Sequence, residues 1–455
     1  MLRIALMYAN TAAVAGSNLG FVSLYRLLQH HFQVTPVCVS AAGMRCRKGP
    51  CRLDDFDLVL LSVSFQNDFV AAFKYLSQLE NGARPLVIAG GLAVSMNPLP
   101  LLPVVDYAFL GEIESIAPDF VRWLRLPRQA LVERLASESA FVSRETPNRM
   151  GNKPPLEMIR LLGQHYRYDG GFCRRPLAAA ELMSLQGAHF SAMALLELSR
   201  GCPFACPFCY LGNRFRGVRY KHPAEILRVI TARARPIKWG LISSCHTRVP
   251  QIDRVLKTLI NQGHRFSLSS LDLRGDYVPY LAAAKQANIR ALTIAPESFA
   301  SALASITGKH ESLAKTTAFL GRCRDYGIGH VKMYFMFGLP GESMEHVAQT
   351  VGHLGGLADA FAGIQLSAAF QVFVPKPFTP CATAPIMRYE TYRARKRIIL
   401  TAGKGKKNCR VTVSNYKSAF IDHLISLGGT GVVPELIAGL QQAATQRRFY
   451  QSFYG

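Results

Sequence analysis

Residues 196–210 read LELSRGCPFACPFCY, and the architecture is decided here. The apolar run at 195–199 reads as a strand, and Cys202, Cys206 and Cys209 follow it directly, spaced Cys-x-x-x-Cys-x-x-Cys. Gly201, Pro203 and Pro207 keep this text out of regular helix or strand, so the three cysteines share one tight loop. Thiolates so spaced can each bind a different iron of a cubane and leave the fourth iron open. A structural zinc site needs a fourth Cys or His, and none follows nearby. A ferredoxin-like cluster asks for a fourth cysteine as well. Three buried structural thiols fit poorly in a loop of this composition. Ligation of an iron-sulfur cluster is the preferred reading.

Outward from the loop, apolar runs at 239–243, 266–271, 291–295, 331–337 and 364–373 continue the series begun at 195–199. Six strands at intervals that leave room for a helix between each pair predict a partial (β/α)6 barrel over residues 191–380. In such barrels the chemistry sits at the carboxyl ends of the strands, which is where the cysteine loop falls. Upstream, runs at 2–8, 34–40, 58–63 and 86–90 alternate with helical patterns. Phe21, Leu24, Tyr25, Leu28 and Phe32 recur at helical spacing, and Phe69, Phe73 and Leu76 mark a second helix. The alternation predicts a doubly wound, Rossmann-like parallel sheet over residues 1–125. Residues 126–190, with turn-rich PNRMGNKPP at 147–155 and the pair Gly170 and Gly171, read as a connector with some helix. Residues 381–455 read as a basic helical segment with an amphipathic tail through Leu436, Leu440 and Phe449.

A chain of 455 residues that is 49% hydrophobic can bury more than one core, and its length suggests two or three domains. No charge-free apolar run approaches the roughly 18–20 residues that cross a bilayer, and no signal-peptide pattern precedes the first strand. A cytoplasmic location is the expectation. Eleven cysteines, an odd number, point to thiols and metal ligands over a disulfide framework. The formal net charge of +24 attracts anionic partners, nucleic acid among them. RYETYRARKRIILTAGKGKKNCR at 388–410 concentrates cations that could contact phosphates or form a solvated basic surface.

The trio with Phe208 before its last cysteine resembles the signature of the radical S-adenosylmethionine (SAM) superfamily. SLSSLDLRGD at 267–276, LTIAPESFASALASITGK at 292–309, VKMYFMFGLPGES at 331–343 and FVPKPFTP at 373–380 resemble the branch whose members carry an N-terminal cobalamin-binding domain. The resemblance implies a 4Fe-4S cluster on Cys202, Cys206 and Cys209, with SAM chelating the open iron. It also implies reductive cleavage of SAM to a 5′-deoxyadenosyl radical, with an electron donor such as flavodoxin or ferredoxin. Residue by residue, it puts Phe208 near the adenine and Ser243 and Ser244 at the methionyl amino group. It puts Glu297 at the ribose or amino group, Lys332 against the carboxylate, and Gly338 where the backbone approaches SAM closely. Each has a structural alternative: the serines as helix caps, Glu297 as a first-turn carboxylate, Lys332 as a solvent-exposed cation and Gly338 as a turn residue.

MYANTAAVAGSNLGFVSLYRLL at 7–28, AGGLAVSMNPLP at 89–100 and DYAFLGEIES at 106–115 resemble the cobalamin-binding-like domain of that branch. Ligands of a doubly wound sheet bind at the carboxyl ends of its strands, making Asn10, Ser62, Ser64, Gly90 and Gly91 candidate cobalamin contacts. The glycine pair would let a flat ring edge or nucleotide tail lie against backbone. The usual Asp-x-His-x-x-Gly motif, whose histidine ligates cobalt, is missing. His30 and His31, at the far end of a helix, read as surface or core residues. Two outcomes stay open: cobalamin held without a protein histidine, or a remnant domain. The expected function is cobalamin-linked methylation or rearrangement of an unactivated carbon in an unidentified substrate. One alternative is cobalamin-free modification of RNA or a ribosomal protein, for which the basic tail and FVPKPFTP, similar to a methylthiotransferase segment, both speak. The other is a non-catalytic iron-sulfur sensor on nucleic acid.

Overall fold

The computed structural model describes residues 2–40, 43–46, 49–79, 84–172, 193–215, 217–442 and 450. Positions 173–190 of the expected connector and Phe449 of the expected tail lie outside the described residues. The chain forms two compact units, one of residues 1–171, 182–191 and 421–455, the other of residues 172–181 and 192–420.

The first unit is built on β1 (Arg3–Tyr8), β2 (Gln33–Ser40), β3 (Gly43–Cys46), β4 (Gly49–Pro50), β5 (Leu58–Ser62), β6 (Leu86–Gly90), β7 (Tyr107–Phe109) and β8 (Phe141–Ser143). Among the described residues these form one sheet in the order β4-β3-β2-β1-β5-β6-β7-β8. The central five strands are parallel. β1 and β5 are apolar almost without interruption because both faces of the sheet are covered, and Ile4, Leu6 and Tyr8 share a core with Phe21, Leu28 and Phe120. The sheet is nonetheless mixed, where the alternating pattern predicted a parallel one. The two-residue link from β2 to β3 cannot carry a crossover helix, so β3 and β4 fold back antiparallel. At the other edge the two helices Ala117–Trp123 and Arg128–Ser137 bring the chain back to the end where β7 finished, and β8 runs antiparallel to it. The unit therefore extends well past residue 125.

In the parallel part, the order β2-β1-β5-β6-β7 reverses direction between β1 and β5. The carboxyl ends of these two strands form the topological switch point, where open α/β sheets leave a crevice.

The second unit contains β9 (Met193–Glu197), the short antiparallel pair β10 (Ser199–Arg200) and β11 (Arg219–Tyr220), and then β12 (Lys238–Ile242), β13 (Arg265–Leu268), β14 (Ala291–Glu297), β15 (His330–Phe337), β16 (Gln365–Val372) and β17 (Cys409–Val413). Parallel sheets β13-β12-β9 and β14-β15-β16-β17 are joined by a parallel bridge between Leu271 and Ile294. They make one curved series of seven strands, the open barrel expected over 191–380 with β17 added. β17 belongs because the helix Tyr389–Ile399 returns the chain to the start of β16. The expected C-terminal segment is thus divided: it stays with the barrel to Phe420 and joins the first unit from Ile421.

Candidate active site

The loop after β9 and β10 is held from several sides. Gly201 sits at φ 84, and a Cβ there would come within 2.7 Å of Gly217 O. Asn213 Nδ2 donates to the carbonyls of Cys206 (2.8 Å) and Cys209 (2.9 Å), fixing the turn between the last two cysteines. Gly212 lets the helix Tyr210–Arg214 lie directly on the loop, since a Cβ would fall 1.8 Å from Phe204 O. Burial pushes the Cys202 and Cys209 thiols up, while backbone N–H groups of Phe204 act on Cys202 and those of Gly212 and Leu211 on Cys209. Amides aimed at sulfur favour the thiolate, the form that binds iron. Among the described residues no three His, Cys, Asp or Glu side chains converge on one point as around a single metal ion. A cubane does not ask for that convergence, because each thiolate takes a different iron.

Around the loop the barrel mouth carries paired charges. Arg274 Nη1 lies 3.5 Å from Cys206 Sγ and 3.1 Å from Gly308 O, and its guanidinium carbon stands 3.4 Å from the centroid of the Phe204 ring. Asp272 fixes it through Nη2 at 2.6 Å. Burial works against the Arg274 charge, but the hydrogen bonds and charges of Asp272 and Cys206 overcome it, and its pKa is raised. Glu297, at the end of β14, is buried and held at φ 66, after a bulge that shifts the β14–β15 register between Ile294 and Glu297. A non-glycine residue in that conformation stores strain of a kind that collects at functional sites. Lys309 Nζ reaches Glu297 Oε1 at 2.8 Å and also donates to Ala295 O. Burial pushes the Glu297 carboxyl up, and Lys309 and then Arg274 pull it back.

In the first unit, polar side chains gather at the switch point. Asn10 Nδ2 donates to Asp68 Oδ1 at 2.8 Å, and Asn18 Nδ2 donates to Ser64 Oγ at 2.9 Å. Asp68 Oδ2 is buried without a hydrogen-bond partner, and the buried Tyr8 Oη faces the side chains of Ser64 and Asn18. Burial pushes the Asp68 carboxyl up to about 6, against the pull of Asn10. Phe65 and Leu92, 54% and 40% exposed, add apolar surface just after β5 and β6. Buried polar atoms without partners are costly unless something supplies them, so this edge is prepared for a ligand that brings donors.

Comparison with known proteins agrees with this geometry. Residues 196–354 match the model of the Radical SAM superfamily, and residues 48–142 match the model of Radical SAM proteins, N-terminal. The chain belongs to the radical SAM superfamily. An uncharacterised protein of Methanocaldococcus jannaschii is 22% identical over 384 residues, covering 83% of this chain and 79% of that protein. Two solved structures of the radical SAM methyltransferase TsrM from Kitasatospora setae share the fold at 14% identity. One holds cobalamin and a 4Fe-4S cluster (TM-score 0.56, 84% of this chain and 77% of that one). The other holds tryptophan substrate and a SAM analogue (TM-score 0.54, 84% and 75%). Membership implies a 4Fe-4S cluster and SAM for this chain.

Within this radical SAM chain, the residues expected at SAM are distributed unevenly. Phe208 packs against the cluster of Ala300, Leu303 and Leu339 at the carboxyl ends of β14 and β15, as Met336 does. Ser244 Oγ donates to Gly201 O, directly beside the cysteine loop. Ser243 is buried instead, its Oγ 2.7 Å from Ser199 Oγ and accepting from Cys245 N, so its hydrogen bonds serve the scaffold. Gly338, at φ 84, donates its N–H to Glu342 Oε2 at 2.6 Å, and a Cβ there would meet Met387 Cε at 2.7 Å. That explains the glycine by a turn and a packed methionine. Lys332 lies well down β15, over the Tyr334 ring. Arg274, Asp272 and Lys309 were missed by the sequence reading, although SLDLRGD and SITGK contain them; their significance lies in what they meet across the fold.

Of the expected cobalamin contacts, Asn10 and Ser64 belong to the switch-point cluster, and Ser62 is buried at the end of β5. At Gly91, with φ 109, a Cβ would fall 2.4 Å from Val63 O, so the close approach that glycine permits is to its own chain. At Gly90 a Cβ would meet only Phe109 Cβ at 3.9 Å, an ordinary contact. The expectation that the glycine opens the backbone to a ring is corrected accordingly for Gly91. His30 and His31 are exposed at the end of the helix Leu19–Gln29, where the chain enters β2, at the opposite end of the strands from the switch point.

Of the basic segment 388–410, Arg395 is a buried strut, paired with Glu342 at 3.0 Å, and Lys406 pairs with Asp359. Arg393, Arg397, Lys404, Lys407 and Arg410 are exposed. No helix among the described residues is long and apolar enough to cross a membrane.

Proposed function

We propose that this radical SAM enzyme is cobalamin-linked and methylates or rearranges an unactivated carbon of its substrate, drawing electrons from a donor such as flavodoxin or ferredoxin. The observation that carries the cobalamin part is the switch-point cluster, where Asp68 presents a buried carboxylate oxygen without a partner, next to Tyr8, Asn10, Asn18 and Ser64 and the exposed Phe65 and Leu92. A corrin edged with amides and apolar faces matches that mixture of acceptor, hydroxyl and apolar surface. TsrM, which shares the fold over both units, is described with cobalamin and a 4Fe-4S cluster bound. Asp-x-His-x-x-Gly being missing after β1, the cobalt would have no histidine from this chain.

When bound, the cluster and SAM would supply the 5′-deoxyadenosyl radical, and cobalamin a methyl carrier. This chain's own residues prepare for them. Cys202, Cys206 and Cys209 would hold three irons. Glu297 and Lys309 set one acceptor and one donor side by side at the mouth, complementary to a methionyl zwitterion. Arg274 keeps a permanent positive charge on the Cys206 thiolate.

Hydroxocobalamin should remain with the cluster-loaded protein through gel filtration and show the spectrum of the form without a lower axial base. Asp68→Leu with Asn10→Ala should release it while leaving cluster absorbance in place. Failure of the wild-type protein to retain cobalamin would remove the cobalamin-linked reading and leave the radical SAM assignment standing.

A further inference from the structure

The inner face of the second unit carries a charge imbalance that the cofactor sites do not absorb. Paired residues of a parallel sheet point to the same side, so register sorts the faces. On β15, Val331, Met333, Phe335 and Phe337 are buried, whereas His330, Lys332, Tyr334 and Met336 between them are half-buried. The first set packs toward the helix layer and the second lines the inside of the strand series. In register with Lys332 across this inner face stand Thr293 on β14 and Ser367 on β16, and Arg410 on β17 is in register with Ser367. Lys332 Nζ lies 4.7 Å from the Tyr334 ring centroid, and His330 Nε2 lies 2.8 Å from Ser367 Oγ. The other sheet offers an apolar wall: Met193, Leu195 and Ile242 point the same way as Gly240, whose missing Cβ would touch Met193 and Leu195.

The carboxylates at the mouth are already taken. Glu197 is held by Arg200 at 2.9 Å, Asp272 by Arg274 at 2.6 Å and Glu297 by Lys309 at 2.8 Å. Among the described residues, no carboxylate lies within ion-pair distance of Lys332 or Arg410. A half-enclosed ammonium without a counter-ion has given up solvation that the Tyr334 ring returns only in part. A concave wall of one sign also concentrates ions of the other.

We infer that the substrate carries an anionic group, a carboxylate or a phosphate, which Lys332 receives inside the barrel with Ser367 and Arg410 on the same face. Its apolar body lies toward Met193, Leu195 and Ile242. The inference rests on the radical SAM reading of this unit and is independent of cobalamin. Met336, four residues beyond Lys332, packs against the same cluster of Ala300, Leu303 and Leu339 as Phe208 of the cysteine loop. At roughly 3.3 Å per residue, Lys332 therefore stands about 13 Å below the mouth, a span that a small organic acid or phosphate ester fills with its far carbon near the cluster.

The test uses the full-length protein with cluster and SAM, titrated calorimetrically with four probes of one shape: 4-phenylbutanoate, 4-phenylbutyl phosphate, 4-phenylbutan-1-ol and 4-phenylbutylamine. One of the two anions should bind about tenfold or more tightly than the alcohol and the amine, and which anion it is separates carboxylate from phosphate recognition. Lys332→Met should erase the preference, Lys332→Arg should keep it, and Arg410→Gln, on an edge strand where folding is little at risk, should weaken it. SAM affinity and cluster absorbance at wild-type level show that each variant is folded. Equal binding of all four probes, no saturable binding of either anion, or a preference that survives Lys332→Met overturns the inference. Cobalamin retention, measured on the same samples, reports separately on the cobalamin reading.

Discussion

Replacing Arg274 with glutamine removes a cation hydrogen-bonded to Cys206, 3.5 Å from its sulfur, and leaves Asp272 without the guanidinium that holds it at 2.6 Å. A cluster on the three cysteines gains negative charge on reduction, so a cation at one thiolate favours the reduced state. A hydrogen bond to a charged group is worth about 1.5–3 kcal/mol. Asp272, on the other side of the guanidinium, offsets part of it, which leaves about 1.4 kcal/mol, a tenfold change in the reduction equilibrium or about 59 mV for one electron. Arg274→Gln should therefore lower the midpoint potential by about 60 mV, and Arg274→Lys by less, since lysine keeps the charge and loses the stacking on Phe204. Adding Asp272→Asn to Arg274→Gln should recover part of the loss by removing the stranded carboxylate. The assay is a redox titration of the reconstituted protein without SAM, followed by electron paramagnetic resonance of the reduced cluster. An unchanged or raised potential in Arg274→Gln at full iron content would refute the claim that this guanidinium acts on the cluster's thiolate.

Two further outcomes concern the first unit. Gly91→Ala should destabilise it by about 3 kcal/mol, from an unfavourable backbone angle and a 2.4 Å clash with Val63 O, whereas Gly90→Ala should change stability by under about 1 kcal/mol; denaturant midpoints compare them, and equal effects would discard the assignment of the close approach to Gly91. Asp68 has its folded pKa raised to about 6, so its contribution to stability is present below about pH 4 and is lost as pH rises through 6. Over that window the ligand-free protein should lose about 2–3 kcal/mol from this group, and Asp68→Asn should flatten the corresponding part of its stability profile; an identical pH profile in the variant would show the carboxyl is not held in that way.

What the sequence by itself determined is what neighbours in the chain decide. Cys202, Cys206 and Cys209 share a loop because glycine and prolines within a few residues forbid anything else, and the apolar runs give strands because each must be covered on both faces. Alternation of strand and helix gave two α/β units, and the missing histidine motif was visible as text. Tertiary structure decided the rest, because it depends on residues far apart in sequence. Nothing in SLDLRGD announces that Arg274 will reach Cys206, 68 positions earlier, or that Lys309 will turn back to Glu297. Asn10 and Asp68 become one cluster only because β1 and β5 lie side by side at the reversal of strand order. Alternation could not show that β3, β4 and β8 would run antiparallel, since direction follows from how many times the connection crosses the sheet. Nor could it give depth: Lys332 and Gly338 stand in one short motif, yet strand geometry places Gly338 at the mouth and Lys332 about 13 Å below it, at roughly 3.3 Å for each residue along the strand.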